Sequence, residues 1–139
     1  MKRFIGSYVV VFIVIGLIAA GGLLSQQYLN RTSAQLVVEL KEVKKLVEQD
    51  DWKGSKEAYD RFDRRWTGVR KNWAMFTDHF EIDNIEMRLA RSREFIEAED
   101  AVNASAEFGE AIMLLEHIPE RGRLTGSRRG RSPPSRSQA

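Results

Sequence analysis

The residues best suited to chemistry are two histidines that lie among carboxylates. His79 is followed by Asp83 and Glu86, about one and two helical turns further along, and Glu116 directly precedes His117. Imidazoles and carboxylates together could bind a divalent metal such as zinc. The residues do not form a compact metal motif, such as two histidines four residues apart on one helix. The sequence therefore offers four candidate metal ligands but no established metal site: His79, Asp83, Glu86 and His117.

A second interpretation is a polar network that fixes the register of two antiparallel helices. His79 lies about 20 residues before a predicted turn at Glu99 and Asp100, and His117 lies about 17 residues after that turn. The two imidazoles should therefore stand at one level of the helices. There, His79 would hydrogen-bond to an acid or to a tryptophan indole. We favour this network, and we predict no metal and no cofactor.

Catalysis has little support in the sequence. Acids on a charged helix face are usually solvated, and this applies to the carboxylates available for a catalytic pair: Glu81, Asp83, Glu86, Glu97, Glu99 and Asp100. The sequence predicts neither a loop-rich cleft for a substrate nor a Gly-rich phosphate loop. The absence of cysteine excludes disulfides, thiol catalysis and Cys-based metal sites. We predict that the protein is not an enzyme and has no catalytic residues.

An apolar run near the N-terminus determines where these residues would be presented. Residues 4–24 carry no charge, and this is the length that a helix needs to cross a bilayer. Lys2 and Arg3 precede the run, whereas the next positive residues are Arg31 and Lys41, which favours a cytoplasmic N-terminus. The alternative is a signal peptide cleaved near residues 19–21, but the run exceeds a usual signal core. We predict a retained single-pass anchor in the cell membrane with an extracytoplasmic C-terminal domain.

An aromatic stripe defines the fold class of that domain. Large apolar residues recur in steps of three and four along one face of a long predicted helix: Trp52, Tyr59, Phe62, Trp66, Val69, Trp73, Phe76 and Phe80. All three tryptophans of the chain belong to this stripe. Other helices must cover so many aromatic side chains. The stripe predicts an all-α domain.

Flanking patterns complete an up-and-down antiparallel bundle of about four helices. After a polar connector at residues 26–31, Thr32 or Ser33 would cap the first helix. Asp78 and Glu81 form a capping box that starts the third helix at His79. Pro119 should stop the fourth helix. The predicted inward residues of the first, third and fourth helices are Leu36, Leu40, Val43 and Val47; Ile82, Ile85, Leu89, Ser92 and Ile96; and Ala101, Ala104, Phe108, Ala111, Ile112, Leu115 and Ile118.

The C-terminal residues differ in composition from the rest of the chain. Residues 121–139 contain six arginines and no acid, so the net charge of +2 leaves −4 for residues 1–120. The Arg, Ser, Gly and Pro content predicts a disordered tail. We favour an unstructured end without a dedicated role. The functional alternative, outside the cytoplasmic membrane, is contact with anionic lipid or wall polymer and not with nucleic acid. The predicted organisation is an anchor over residues 1–25, a bundle over 26–120 and a tail over 121–139.

Two segments resemble a known family. They are HFEIDNIEMRLAR (residues 79–91) and LLEHIPE (residues 114–120), which follow an N-terminal anchor and a Trp-rich helix. This arrangement is similar to that of bacterial proteins described as domain of unknown function 4363. The resemblance implies a small membrane-anchored protein of spore-forming, Gram-positive-type bacteria, often encoded beside a multispanning membrane protein. It supplies no activity, and family members usually end soon after the second segment.

Together these features predict a non-enzymatic, membrane-tethered bundle that binds or modulates a membrane or envelope protein. The first helix rises from the membrane and the second returns to it, so the histidines should lie at the membrane-proximal end. We expect a partner to contact Trp73, His79, Glu116 and His117 there. The alternative is an envelope metal-binding protein or enzyme that uses the cluster of His79 and His117 with nearby carboxylates.

Overall fold

The computed structural model describes the backbone of residues 2–125 and the side chains of residues 8–119. Residues 2–125 form four helices and no strand: α1 (Lys2–Glu48), α2 (Trp52–Trp73), α3 (His79–Glu97) and α4 (Ala101–Thr125). Short turns make successive helices antiparallel. Helix α1 packs on α2 and α4, and α3 packs on α4, whereas direct contact between α2 and α3 is much thinner. The predicted all-α bundle is confirmed.

The heptad patterns predict most of the core correctly. Every inward residue predicted for α1, α3 and α4 is buried except Ala101, which is half-buried. In α2 the buried aromatic residues are Tyr59, Phe62, Trp66 and Trp73. Ser55 and Ser92 occupy core positions because each hydroxyl donates to a carbonyl of its own helix, that of Trp52 and that of Arg88. The core therefore has the all-helical character that the aromatic stripe requires.

The ends of α2 and α3 differ in part from the prediction. Helix α2 ends at Trp73, before Phe76 and Phe80, and these last two positions of the predicted stripe are exposed. The start of α3 agrees with the prediction, since the Asp78 carboxylate accepts a hydrogen bond from the Phe80 backbone N–H at 3.0 Å. Asp51 caps α2 in the same way by accepting from the Gly54 N–H at 2.9 Å.

The predicted connector at residues 26–31 is helical, and α1 runs without interruption from the apolar segment into the bundle. Thr32 does not cap a new helix, because its hydroxyl donates to the Tyr28 carbonyl one turn earlier at 2.8 Å. Neither glycine nor proline occurs between residues 25 and 33 to break the helix. The polar residues of this stretch instead make contacts with α2 and α4.

The prediction that Pro119 stops the last helix is wrong. Helix α4 continues through Pro119 to Thr125. A proline inside a helix removes the N–H that would bond to the carbonyl four residues earlier, here that of Leu115. The Ser33 hydroxyl of α1 donates to this carbonyl, and the Gln26 amide donates to the Pro119 carbonyl at 2.6 Å. Side chains of α1 therefore supply hydrogen-bond donors to two backbone carbonyls around the proline. Residues 121–125 of the predicted tail are helical, and residues 126–139 lie outside the described range.

This arrangement gives a testable prediction. Ser33→Ala should lower the free energy of unfolding by about 1–3 kcal/mol, because it leaves the buried Leu115 carbonyl without a donor. Pro119→Ala supplies a backbone N–H for that carbonyl, so Ser33→Ala should cost less in the Pro119→Ala background. The unmodified chain, the two single variants and the double variant are unfolded with urea in detergent and followed by circular dichroism. The four free energies of unfolding give the coupling between positions 33 and 119. Equal costs in the two backgrounds would contradict the explanation.

Candidate functional site

The apolar part of α1 is exposed from Tyr8 to Leu24. The large apolar side chains from Tyr8 to Leu24 are between 48% and 73% exposed. Within the described residues, α1 is the one helix long and apolar enough to cross a membrane, and none of its most apolar window is buried. The same helix becomes part of the core from Leu29 onward. The protein is therefore a bundle from which one apolar helix projects.

We call the place where the apolar helix enters the bundle the α1 junction, comprising residues 26–33 of α1 and the side chains that contact them. Trp73 at the end of α2 is fully buried here, and its indole N–H donates to the Thr32 hydroxyl at 2.9 Å. Its ring meets Trp66 edge to face, with 5.8 Å between ring centroids. Asn72 donates to the Tyr28 hydroxyl at 3.0 Å. Trp73, a predicted partner contact, therefore positions the junction and presents no surface.

The predicted site residues lie toward this end of the bundle but engage different partners. His79 is exposed at the start of α3 and lines one cleft with Asp83. Glu86 forms an ion pair with Arg70. On α4, exposed Glu116 pairs with Lys41 at 3.0 Å, and the exposed His117 places Nδ1 2.7 Å from the Met113 carbonyl.

The structure does not assemble these residues into a metal site. No group of three or more His, Asp or Glu side chains that could hold a metal is present among residues 8–119. The network predicted around His79 also takes another form, since the Trp73 indole donates to a threonine of α1. The alternative hypothesis of a metal site that uses His79 and His117 therefore gains no support from the geometry.

A groove runs between α2 and α3. Three clefts, of about 300, 240 and 150 Å³, follow one another along these two helices. We call them together the α2–α3 groove. The first cleft lies at the α1 junction end and is lined by Arg70, Lys71, Ala74, His79, Ile82 and Asp83. Because Arg70 lines the first and second clefts and Tyr59 the second and third, the clefts form one continuous surface.

Ion pairs, more than apolar contacts, connect the two sides of the groove. Lys56 pairs with Glu97 at 3.2 Å, Asp60 with Arg93 at 3.8 Å, and Arg70 with Glu86. All six side chains remain substantially exposed. Exposed pairs of this kind contribute little to stability. The α2–α3 contact is therefore the weakest side of the bundle, and its charged rim is available for other interactions.

Aromatic residues form the base of the groove. The Tyr59 hydroxyl donates to the Leu89 carbonyl at 2.7 Å, and the Arg93 guanidinium lies 5.9 Å from the Tyr59 ring centroid. Burial, with the nearby Asp63 carboxylate, raises the pKa of Tyr59. Trp66 also lines the groove, but it is almost fully buried like Tyr59, and its indole N–H has no acceptor among residues 8–119. The arginines of the rim, Arg70 and Arg93, remain exposed, and arginine is enriched at sites where proteins meet.

The periodicity of the sequence did not predict this groove. The heptad pattern assigns an inward face to each helix but does not state how closely each pair of helices packs. The sequence does contain acids and arginines on the outer faces of α2 and α3 that form ion pairs across the groove. They can be recognised as ion-pair partners only once the two helices are known to be adjacent.

The fold and the groove define a class of protein, a four-helix bundle carried on one projecting apolar helix. The chain belongs to the family described as domain of unknown function 4363, whose model matches residues 23–125. The match covers the bundle and begins where the apolar segment ends. The resemblance found in residues 79–91 and 114–120 is thereby confirmed. No significant match is found among curated proteins or among solved structures.

Proposed function

We propose that the protein is a single-pass membrane protein with a cytoplasmic N-terminus and an extracytoplasmic bundle, which binds a membrane or envelope protein without catalysing a reaction. The observation that carries the proposal is the exposed apolar segment of α1, which continues as one helix into the bundle core. An isolated helix that is apolar on all sides would be unfavourable in water, whereas a bilayer solvates it and leaves its backbone bonds intact.

The dimensions and charges of the segment agree with this role. Residues 4–24 would form a helix about 31 Å long at about 1.5 Å per residue, close to the thickness of the bilayer core. Two positive residues precede the segment, while Arg31 is the first positive residue after it. Positive residues are retained on the cytoplasmic side, which supports the proposed orientation.

A continuous helix also supports binding at a fixed position. A flexible linker would let the bundle sample many distances and angles from the membrane. Here the Trp73 and Ser33 hydrogen bonds attach α2 and α4 to α1 at the junction, directly after the apolar segment. The bundle would therefore hold the α2–α3 groove at a defined distance from the membrane surface. A membrane protein that binds the groove would meet it at that distance.

The groove is our proposed contact surface for that partner. Buried aromatic side chains form its base, and its rim carries charges of both signs that can exchange their ion pairs for pairs with a protein segment. In the bundle alone these charged groups pair with one another and are not arranged around a substrate-sized reaction centre. This pairing supports recognition over catalysis.

Site-specific photo-cross-linking in native membranes tests the proposal. A photoreactive residue at Thr67 or Ala90, both exposed in the groove, should yield a discrete adduct with one membrane or envelope protein. The matched control is Met113, which is also exposed, lies on α4 and does not line the groove. Mass spectrometry of the adducts identifies the partner. Identical adducts from all three positions, or none from the groove, would contradict the proposed surface.

A further inference from the structure

The turn between α2 and α3 carries an apolar surface that the bundle does not use. Met75, Phe76 and Phe80 are 70%, 50% and 70% exposed within six consecutive residues. The turn is held by its own backbone, since the Phe76 and Thr77 N–H groups both donate to the Trp73 carbonyl at 2.9 and 2.8 Å. Asp78 is committed to capping α3. The exposure of these side chains is therefore imposed by the fold.

The contacts between α1 and α2 determine the height of this turn. Arg61 pairs with Glu42, Arg65 with Glu39, and Trp73 bonds to Thr32, so the two helices run past each other in steady antiparallel register. Continuing this register past the end of α2 places Met75 and Phe76 level with about residues 30 and 29. Leu24, the last residue of the exposed apolar run, is about five to six residues, roughly 8 Å, further on.

We propose that the α2–α3 turn inserts Met75, Phe76 and Phe80 into the interfacial region of the same bilayer that α1 crosses. This inference rests on the proposed membrane anchoring. The bilayer is the expected occupant because the apolar turn and the apolar helix leave the bundle at one end and within about two helical turns of each other. Aromatic side chains are well suited to the boundary between headgroups and acyl chains.

The charged residues beside the turn are compatible with this position. Lys71 and His79 are exposed on either side of it and line the adjoining cleft with Arg70. The Lys71 ammonium at this depth can reach lipid phosphates while its stem covers apolar surface. The acids at this end are Asp78, which caps α3, Glu81 in the first turn of α3, and Asp83, one turn further from the membrane than His79. The turn therefore presents apolar tips first, with charged groups of both signs behind them.

A second contact with the membrane would determine the orientation of the bundle. One helix alone leaves the bundle free to tilt relative to the membrane plane. An inserted turn on the side of α2 and α3 removes most of that freedom. It also places the α2–α3 groove with its first cleft at the membrane surface, where the extramembrane part of a membrane protein would meet it.

Single fluorescent labels test the inference in the full chain, because the natural sequence has no cysteine. Phe76→Cys, Val102→Cys and Ile15→Cys variants are labelled with a polarity-sensitive dye and reconstituted in phosphatidylcholine and phosphatidylglycerol vesicles. Val102 is the matched control, since it is 80% exposed at the opposite end of the bundle. The label at position 76 should be quenched by spin-labelled lipid and should resist aqueous iodide several-fold better than the label at position 102.

The label at position 15 separates the inference from the proposal on which it rests. If the label at 15 is quenched by lipid while the label at 76 is as accessible to iodide as the label at 102, the turn does not insert and the anchoring stands. If the label at 15 is also accessible to iodide, the anchoring itself fails and the inference fails with it.

Discussion

Replacing Trp73 by alanine should lower the free energy of unfolding by about 3–5 kcal/mol, the usual cost of removing a large buried aromatic side chain. Trp73 is fully buried and contacts Trp66 edge to face. Its loss would also leave the Thr32 hydroxyl without the indole donor that joins α2 to α1. Small domains have about 5–15 kcal/mol of stability, so this one change would remove a large part of it.

Two further variants show whether the effect arises from the junction. Trp73→Phe keeps most of the aromatic volume but removes the N–H, and its cost should be clearly smaller than that of alanine. Met113→Ala, at an exposed position of α4, should change stability by no more than about 0.5 kcal/mol. Urea unfolding of the full chain in detergent, followed by far-ultraviolet circular dichroism, measures all three. An alanine variant as stable as the Met113→Ala control would refute the junction described here.

Two lysines in the apolar segment should release the protein from the membrane. Val14 and Leu17 lie near the centre of residues 4–24 and are exposed to the surroundings of the helix. Lysine at the centre of a membrane helix costs about 2.5–3.5 kcal/mol, so the Val14→Lys, Leu17→Lys variant should lose about 5–7 kcal/mol of insertion free energy. The same variant should change the folding of the bundle little, because these positions do not contact it.

Flotation of membranes in a density gradient measures this effect and excludes aggregates, which do not float. The unmodified chain should float with the lipid, and the double variant should remain in the soluble fractions. Val102→Lys adds a charge to an exposed position of the bundle and should float like the unmodified chain. Equal flotation of the double variant would show that the segment does not cross the bilayer, and the proposed function would lose its basis.

These outcomes bear on different parts of the proposed role. The Trp73 variants test whether the bundle is fixed rigidly to the helix that projects from it. The lysine variant tests whether that helix is in lipid. A protein that acts by presenting the α2–α3 groove at a defined height needs both, because the groove would otherwise have no constant position relative to a membrane partner.

The sequence alone determined the features that depend on neighbouring residues. The uncharged run of residues 4–24 identified the apolar helix, since hydropathy requires no knowledge of the fold. The three- and four-residue spacing of Leu36, Leu40 and Val43 identified a buried face, because a regular helix brings such positions together. Asp78 marked the start of α3, because a cap bonds to backbone only two residues away.

Tertiary structure decided the features that depend on residues distant in the chain. Pro119 lies inside a helix because Ser33, on another helix, satisfies the carbonyl that it leaves without a donor. The Trp73 side chain is buried while Phe76 is exposed, because α2 ends where its indole meets Thr32. The α2–α3 groove exists because α2 packs closely on α1 and α3 packs closely on α4, whereas α2 and α3 pack loosely on each other. Periodicity shows which face of each helix is buried. How closely each pair of helices packs is decided only in the assembled bundle.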